Sequence, residues 1–164
     1  MPMIREGYHD AAKRTWDDRN RVLLSGRADL PVFTKGERMD MKLELVSVPV
    51  SDVDRAKAFY VDRVGFNADH DHRVNDELRF VQLTPPGSGC SIAIGTGLTA
   101  MAPGSVEGLQ LVVTDIEAAH AALAGRGVPV SEIEDQPWGS FVYFADPDGN
   151  RWNVQQVVPR NAGG

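Results

Sequence analysis

Val50-Ser51-Asp52-Val53-Asp54-Arg55-Ala56 and Val113-Thr114-Asp115-Ile116-Glu117-Ala118-Ala119 are two copies of one pattern. Each follows a β-branched run and opens an alanine-rich stretch, so each reads as a junction from strand into helix. Ser51 or Asp52 can cap the first helix, and Thr114 with Glu117 makes a capping box for the second. Sliding the second copy back by 63 residues pairs Asp115 with Asp52, and Leu109, Leu111 and Val113 with Val46, Val48 and Val50. Farther along, a shift of 62 pairs Gly149 with Gly87 and Val154 with Ile92, although a shift of 61 also matches several residues. The chain is therefore expected to repeat one β-α-β-β-β unit. The implied fold class is α+β, with two modules forming a curved mixed sheet around a cleft.

The elements follow outward from these junctions. Residues 42–50 alternate as a strand, which Pro49 marks as an edge or an end. The first helix is expected to reach about Val64, with Val53, Ala56, Phe59 and Tyr60 on its apolar face and Gly65 as terminator. Strands follow at 66–74, 79–84 and 90–94, with turns at Asn75-Asp76 and Pro85–Gly89. Residues 95–106, rich in Gly, Ala, Thr and Pro, link the halves. The second half reads as a strand at 109–113, a helix to about Ala124, a strand at 128–133, a loop at 136–139, and strands at 141–144 and 152–158. Asp146-Pro147-Asp148-Gly149-Asn150 joins the last two, and its Pro and Gly favour a tight turn on backbone grounds alone. The modules span about 41–95 and 107–159 of a domain at 41–159. Before it lies an N-terminal arm, 1–40, with helical character, and after it a tail, 160–164.

Composition narrows the classes. Residues 1–40 carry eight Lys/Arg against seven Asp/Glu, and the remainder nine against 16, so the net charge of −6 belongs to the body. An acidic body lacks the basic footprint that nucleic acid demands. No apolar run approaches the ~20 residues of a membrane span, and the N-terminus has no apolar secretory region. A single cysteine, Cys90, excludes an internal disulfide framework and fits a reducing cytoplasm.

The chain resembles the vicinal oxygen chelate superfamily, which comprises glyoxalases, bleomycin resistance proteins and extradiol dioxygenases. The resemblance rests on the run Val50 to Tyr60, on Val64-Gly65-Phe66, on Trp138-Gly139 and Phe144, and on the Asp146–Asn150 motif; it covers roughly residues 41–159. It implies paired modules whose sheets enclose a pocket, usually completed by a homodimer. It also implies a divalent metal held by His and Glu on the inner sheet faces. The implied ligand slots lie seven residues before each helix-opening Asp, three residues after the Asn of the turn, and at the first-half counterpart of that last position. In this chain they hold Leu45, Gly108, Asn153 and Ser91. None is a good ligand for a divalent transition metal. No metal or other cofactor is expected in these slots, although a divalent metal held elsewhere stays open.

Strand alternation proposes the pocket lining. If Val46, Val48 and Val50 face the helices, Leu45 and Ser47 face the cleft. In the second half Gln110 and Val112 do so, with Asn153 and Gln155 on the last strand. Trp138, Phe141 and Tyr143 add aromatic walls, and Ser91 joins through its slot. Each of these residues has an ordinary alternative reading as core or satisfied polar side chain. For Trp138 and Trp152 that core reading is favoured. His70 and His72 share a strand face and would chelate if a third ligand approached; in so polar a stretch they read equally as solvated surface.

Three functions remain open. One is a protein without the family's metal that binds a small aromatic or amphipathic molecule in the inter-module cleft. Another is an enzyme: a lyase, isomerase or dioxygenase with displaced metal ligands, or a metal-free catalyst using Tyr143 or a histidine as acid or base. The third is an interaction module whose arm engages a partner. The small-molecule reading is preferred, because shared fold does not transfer chemistry.

Overall fold

The computed structural model describes residues 40–158. The expected arm, apart from Asp40, and the expected tail lie outside the described residues. Residue contacts divide the chain between Met41 and Lys42, and every described helix and strand belongs to the second unit.

The first half runs β1 (Leu45–Ser47), α1 (Val53–Ala58, widening into a π-helical segment at Phe59–Val64), β2 (Asn67–Arg73), β3 (Arg79–Thr84) and β4 (Ser91–Thr96). The second runs β5 (Leu109–Val113), α2 (Ile116–Gly125), β6 (Glu134–Gln136), β7 (Gly139–Ala145) and β8 (Arg151–Val157). They build two four-stranded mixed sheets, ordered β1-β4-β3-β2 and β5-β8-β7-β6. In each, the first strand lies parallel to the last, and the other neighbours are antiparallel. The β-α-β-β-β repeat is thus present in three dimensions.

Both helices begin at the repeated aspartate. Asp52 and Asp115 have extended backbones, and their Oδ1 atoms accept from Arg55 N and Ala118 N, each at 2.9 Å. Asp115 therefore caps α2, and the capping box expected from Thr114 and Glu117 does not form. Gly65, at φ +96°, closes the π segment by donating to Tyr60 O at 2.9 Å. A side chain disfavours that left-handed conformation.

Another departure concerns 128–133, expected as a strand. Only an isolated bridge, Val130 to Phe144, forms there. Ser131 takes Tyr143 N–H on its own Oγ at 3.0 Å, where a strand would have offered a backbone carbonyl. Ladder pairing passes instead to Glu134–Gln136, opposite Gly139–Phe141.

One core joins the modules. Val81, Leu83, Ile92 and Ile94 of the first sheet and Val142, Phe144, Trp152 and Val154 of the second lie in a single buried cluster with Phe59, Tyr60 and Phe66. The two helix-side faces therefore share this core, and the opposite face of each sheet is left free of it.

At the edge of the first sheet, Arg79 grips Asp71 with two parallel bonds of 3.0 and 2.9 Å and reaches Asp54 at 2.8 Å, while Lys57 meets Asp71 at 2.8 Å. The hydrogen bonds from Arg79, then Lys57, hold the Asp71 carboxyl well below the usual carboxylate range. A lowered folded pKa contributes stability above the unfolded value, near 3.9, and loses it as pH falls below that. The urea midpoint is therefore expected to drop more steeply from about pH 5 to about pH 3 in the parent chain than in Asp71→Asn. Equal slopes would show that the network contributes nothing. With Asp71 28% exposed, the effect is modest and weakens in salt.

Candidate functional site

Register assigns the free face of each sheet. In the first sheet Leu45 lies opposite Ser91, and Ser47 and Gln82 both lie opposite Ala93. Gln82 and Phe80 in turn face His70 and His72 across β2. Because Val81, Leu83, Ile92 and Ile94 point into the core, alternation turns Leu45, Ser47, Gln82, Ser91, His70 and His72 the other way. In the second sheet one row is Gln110, Asn153, Tyr143 and the next is Val112, Gln155, Phe141. These alternate with buried Trp152, Val154, Val142 and Phe144, so they too occupy the free face.

Predicted site residues thus gather in two groups, one per sheet. Leu45, Ser47 and Ser91 form the first, and Gln110, Tyr143, Asn153 and Gln155 the second. Trp138 sits in the β6–β7 turn at the rim, 62% exposed, which overturns its core reading; Trp152, 4% exposed, keeps its own. Val112, on edge strand β5, is 64% exposed, and Tyr143, on interior strand β7, is 39% exposed, so apolar surface lies open on this face. Phe141 and Tyr143 present nearly parallel rings, 8° apart in plane with centroids 6.2 Å apart.

Hydrogen bonds organise both groups. Gln155 Nε2 donates to Trp138 O at 3.0 Å, and Gln155 Oε1 accepts from Gln110 Nε2 at 2.7 Å. On the other sheet Gln82 Nε2 donates to Ser91 Oγ at 3.1 Å, Ser91 Oγ lies 2.6 Å from Thr84 Oγ1, and Thr84 Oγ1 donates to Asp69 Oδ2. Asn153 Oδ1 is covered yet has no partner. Gln82, Thr84 and Asp69 were missed in the sequence. The alternation of Val81 and Leu83 with Phe80, Gln82 and Thr84 was the available signal for the first two. Asp69 reaches Thr84 through a register shift between Ala68 and His70, which sequence does not announce.

The donor atoms at the implied metal slots do not make a site. Leu45 and Ser91 are register partners, but one has no donor atom and the hydroxyl of the other is engaged by Thr84 and Gln82. Gly108 offers no side chain, and Asn153 brings one neutral oxygen. Among the described residues no group of three or more His, Cys, Asp or Glu is placed to hold a metal ion. The donor set does not fit the family's metal. His70 and His72 stack at 6.2 Å on exposed β2, with no third such side chain grouped with them. No helix among the described residues is long and apolar enough to cross a membrane.

The sequence profile of the Glyoxalase/Bleomycin resistance protein/Dioxygenase superfamily matches residues 42–154, and the chain belongs to that superfamily. It is 31% identical to the uncharacterized protein YetH of Bacillus subtilis over 68% of this chain and 95% of that protein. Among solved structures it is similar to TnmS3, an antibiotic binding protein from Streptomyces sp. CB03234. The two share 38% identity over 74% of this chain and 100% of that one, with a TM-score of 0.68. A glyoxalase/bleomycin resistance protein from the same Streptomyces matches at 40% identity over 70% of this chain and 100% of that one, TM-score 0.63.

Proposed function

We propose that this protein binds a small aromatic or amphipathic molecule on the free sheet faces, without the family's metal centre. The observation that carries the reading is the second free face, where Tyr143, Phe141, Gln110 and Gln155 surround an unpartnered Asn153 oxygen at a slot where the resemblance implies a metal ligand. Such a mix of apolar walls and a few aimed amides suits a small-molecule pocket. The similarity to an antibiotic binding protein supports it. Each face supplies half a pocket, since the helix-side faces are consumed by the shared core. A second copy, setting its Gln110–Tyr143 face against Leu45, Ser47 and Ser91 of the first, would enclose the ligand and cover Val112 and Val157.

The test is thermal unfolding with a panel of planar aromatic compounds, with a chelator present throughout. A ligand at about 100 times its Kd adds ~2.7 kcal/mol and raises Tm by several degrees. The rise is expected to vanish in Val112→Asp, which should also sediment as a monomer. A panel that never shifts Tm, or shifts it only after metal is restored, would sink the reading.

A further inference from the structure

Pro137 and Trp138 are the whole connection between β6 and β7, since Gln136 pairs with Gly139. Two-residue hairpin loops favour turns with positive φ at a central position, because those match the twist of the strands. This loop has none: proline locks φ negative, and no non-glycine residue among the described residues has positive φ. A turn of the other hand splays the strands it joins, so its place depends on contacts from outside the hairpin.

Gln155 supplies one. It lies opposite Phe141, and alternation puts Phe141 and Gly139 on the same free face. The Gln155 side chain runs over that glycine: a Cβ on Gly139 would stand 3.3 Å from Gln155 Cγ and 3.0 Å from its Nε2. Nε2 ends 3.0 Å from Trp138 O. A carbonyl can only accept, so the amide turns its nitrogen to Trp138 and its oxygen to Gln110 Nε2, 2.7 Å away. One amide thus links edge strand β5, through β8, to the turn at the rim, and it reaches the turn from the free-face side. At 8% exposure Gln155 offers a ligand little surface, whereas Trp138, at 62%, stands open beside this face.

We propose that Gln155 is a positioning residue: it holds the Pro137-Trp138 turn against the free face, so that the Trp138 indole closes the rim over a planar aromatic ligand. The inference rests on the small-molecule reading above and changes the part of Gln155 in it, from a group that meets the ligand to one that acts through Trp138. An aromatic wall on a tethered backbone has little freedom left to lose on binding, which favours stacking.

Two measurements on the full chain test it. In protein labelled with 5-fluorotryptophan, the fluorine signal that Trp138→Phe removes is expected to move and narrow in Gln155→Leu, while the Trp152 signal stays. In Gln155→Glu the ionised carboxylate can only accept, so at about pH 8 the Trp138 signal should resemble that of Gln155→Leu; protonation at about pH 5 restores a donor and should bring it back toward the parent position. A Trp138 signal unmoved by Gln155→Leu overturns the inference. Calorimetric titration with 2-naphthol is expected to show affinity about tenfold lower in Trp138→Ala and in Gln155→Leu. The double variant should lose no more than either alone, because one residue acts through the other. Losses that add would make Gln155 a ligand contact in its own right, and unchanged affinity in Gln155→Leu would deny it any part; either overturns the inference and leaves small-molecule binding standing. If 2-naphthol does not bind the parent chain, the role given to Gln155 and Trp138 falls, and the compound panel above decides the small-molecule reading by itself.

Discussion

Asp146→Ala is expected to cost about 4 kcal/mol, near the top of the range for a single substitution. Asp146 is 5% exposed and accepts five hydrogen bonds. Its Oδ1 takes the backbone N–H groups of Asp148, Gly149 and Asn150, each at 2.9 Å, which closes the turn on itself. Its Oδ2 takes Asn150 Nδ2 at 2.7 Å and Tyr60 O–H at 2.8 Å. Asn150 Nδ2 also donates to Pro49 O at 2.8 Å, tying the end of the first module's opening segment to the turn of the second. Burial, with Asp146 beside it, pushes the Tyr60 hydroxyl above the ordinary tyrosine range, so it stays a donor. Removing the carboxylate strands two fully buried donor groups, at ~1–3 kcal/mol each, and unpins the turn. Urea unfolding would measure the loss, which corresponds to a Tm drop of about 10–20 °C for a domain of this size. A loss under about 1 kcal/mol would mean that water replaces the carboxylate at little cost.

Trp152→Ala is expected to cost a comparable ~3–5 kcal/mol through the cavity it leaves. The indole lies parallel to Phe144 within 2° at 5.9 Å, and edge-on to Tyr60 and Phe66 at 5.8 and 5.6 Å. Tyr60 and Phe66 come from the first module and Phe144 from the second, so the side chain fills the seam between them. Trp152→Phe should recover most of the loss and fall short by ~1 kcal/mol, because Nε1 donates to Tyr60 Oη at 3.1 Å. Both substitutions act through the Tyr60 hydroxyl, so Asp146→Ala with Trp152→Ala is expected to cost less than the two separately. Strict additivity would deny that the turn and the seam form one unit.

Asp146 thereby gains a second role. In the sequence its motif is a turn signal, because Pro and Gly at those places bend any chain. The structure makes it the joint between modules: Tyr60, 86 residues away, bonds to Asp146, and Pro49, 101 residues from Asn150, bonds to that asparagine. No local pattern encodes such a partner. Asp148 behaves likewise: its Oδ1 meets Ser51 and Arg55 at the start of α1, with Arg55 at 3.2 Å.

The repeat, the two helices and the strand alternation were legible, because each depends on residues near in sequence or on a period of two; the cap of the second helix was not, since Asp115 takes the place expected for Thr114. Alternation also sorted Leu45, Ser47, Gln110, Asn153 and Gln155 onto one side of their strands. It was blind wherever the decision belonged to a neighbour. Ser131 diverts a strand by capturing Tyr143 N–H, the register shift after Ala68 brings Asp69 to Thr84, and Trp138 stands in solvent at a turn.

By itself, then, the sequence determined a doubled β-α-β-β-β architecture, written in the repeated spacing around Asp52 and Asp115, while the slots where the resemblance implies metal ligands hold Leu45, Ser91, Gly108 and Asn153. Tertiary structure decided which sheet faces are spent on the core and which are left free of it. That choice depends on Phe59, Tyr60 and Phe66 meeting Phe144 and Trp152 across the modules, and on hydrogen-bond chains ending at Asp69 and the Trp138 carbonyl. Such contacts follow from where the chain brings distant residues together, and no periodicity along it encodes them.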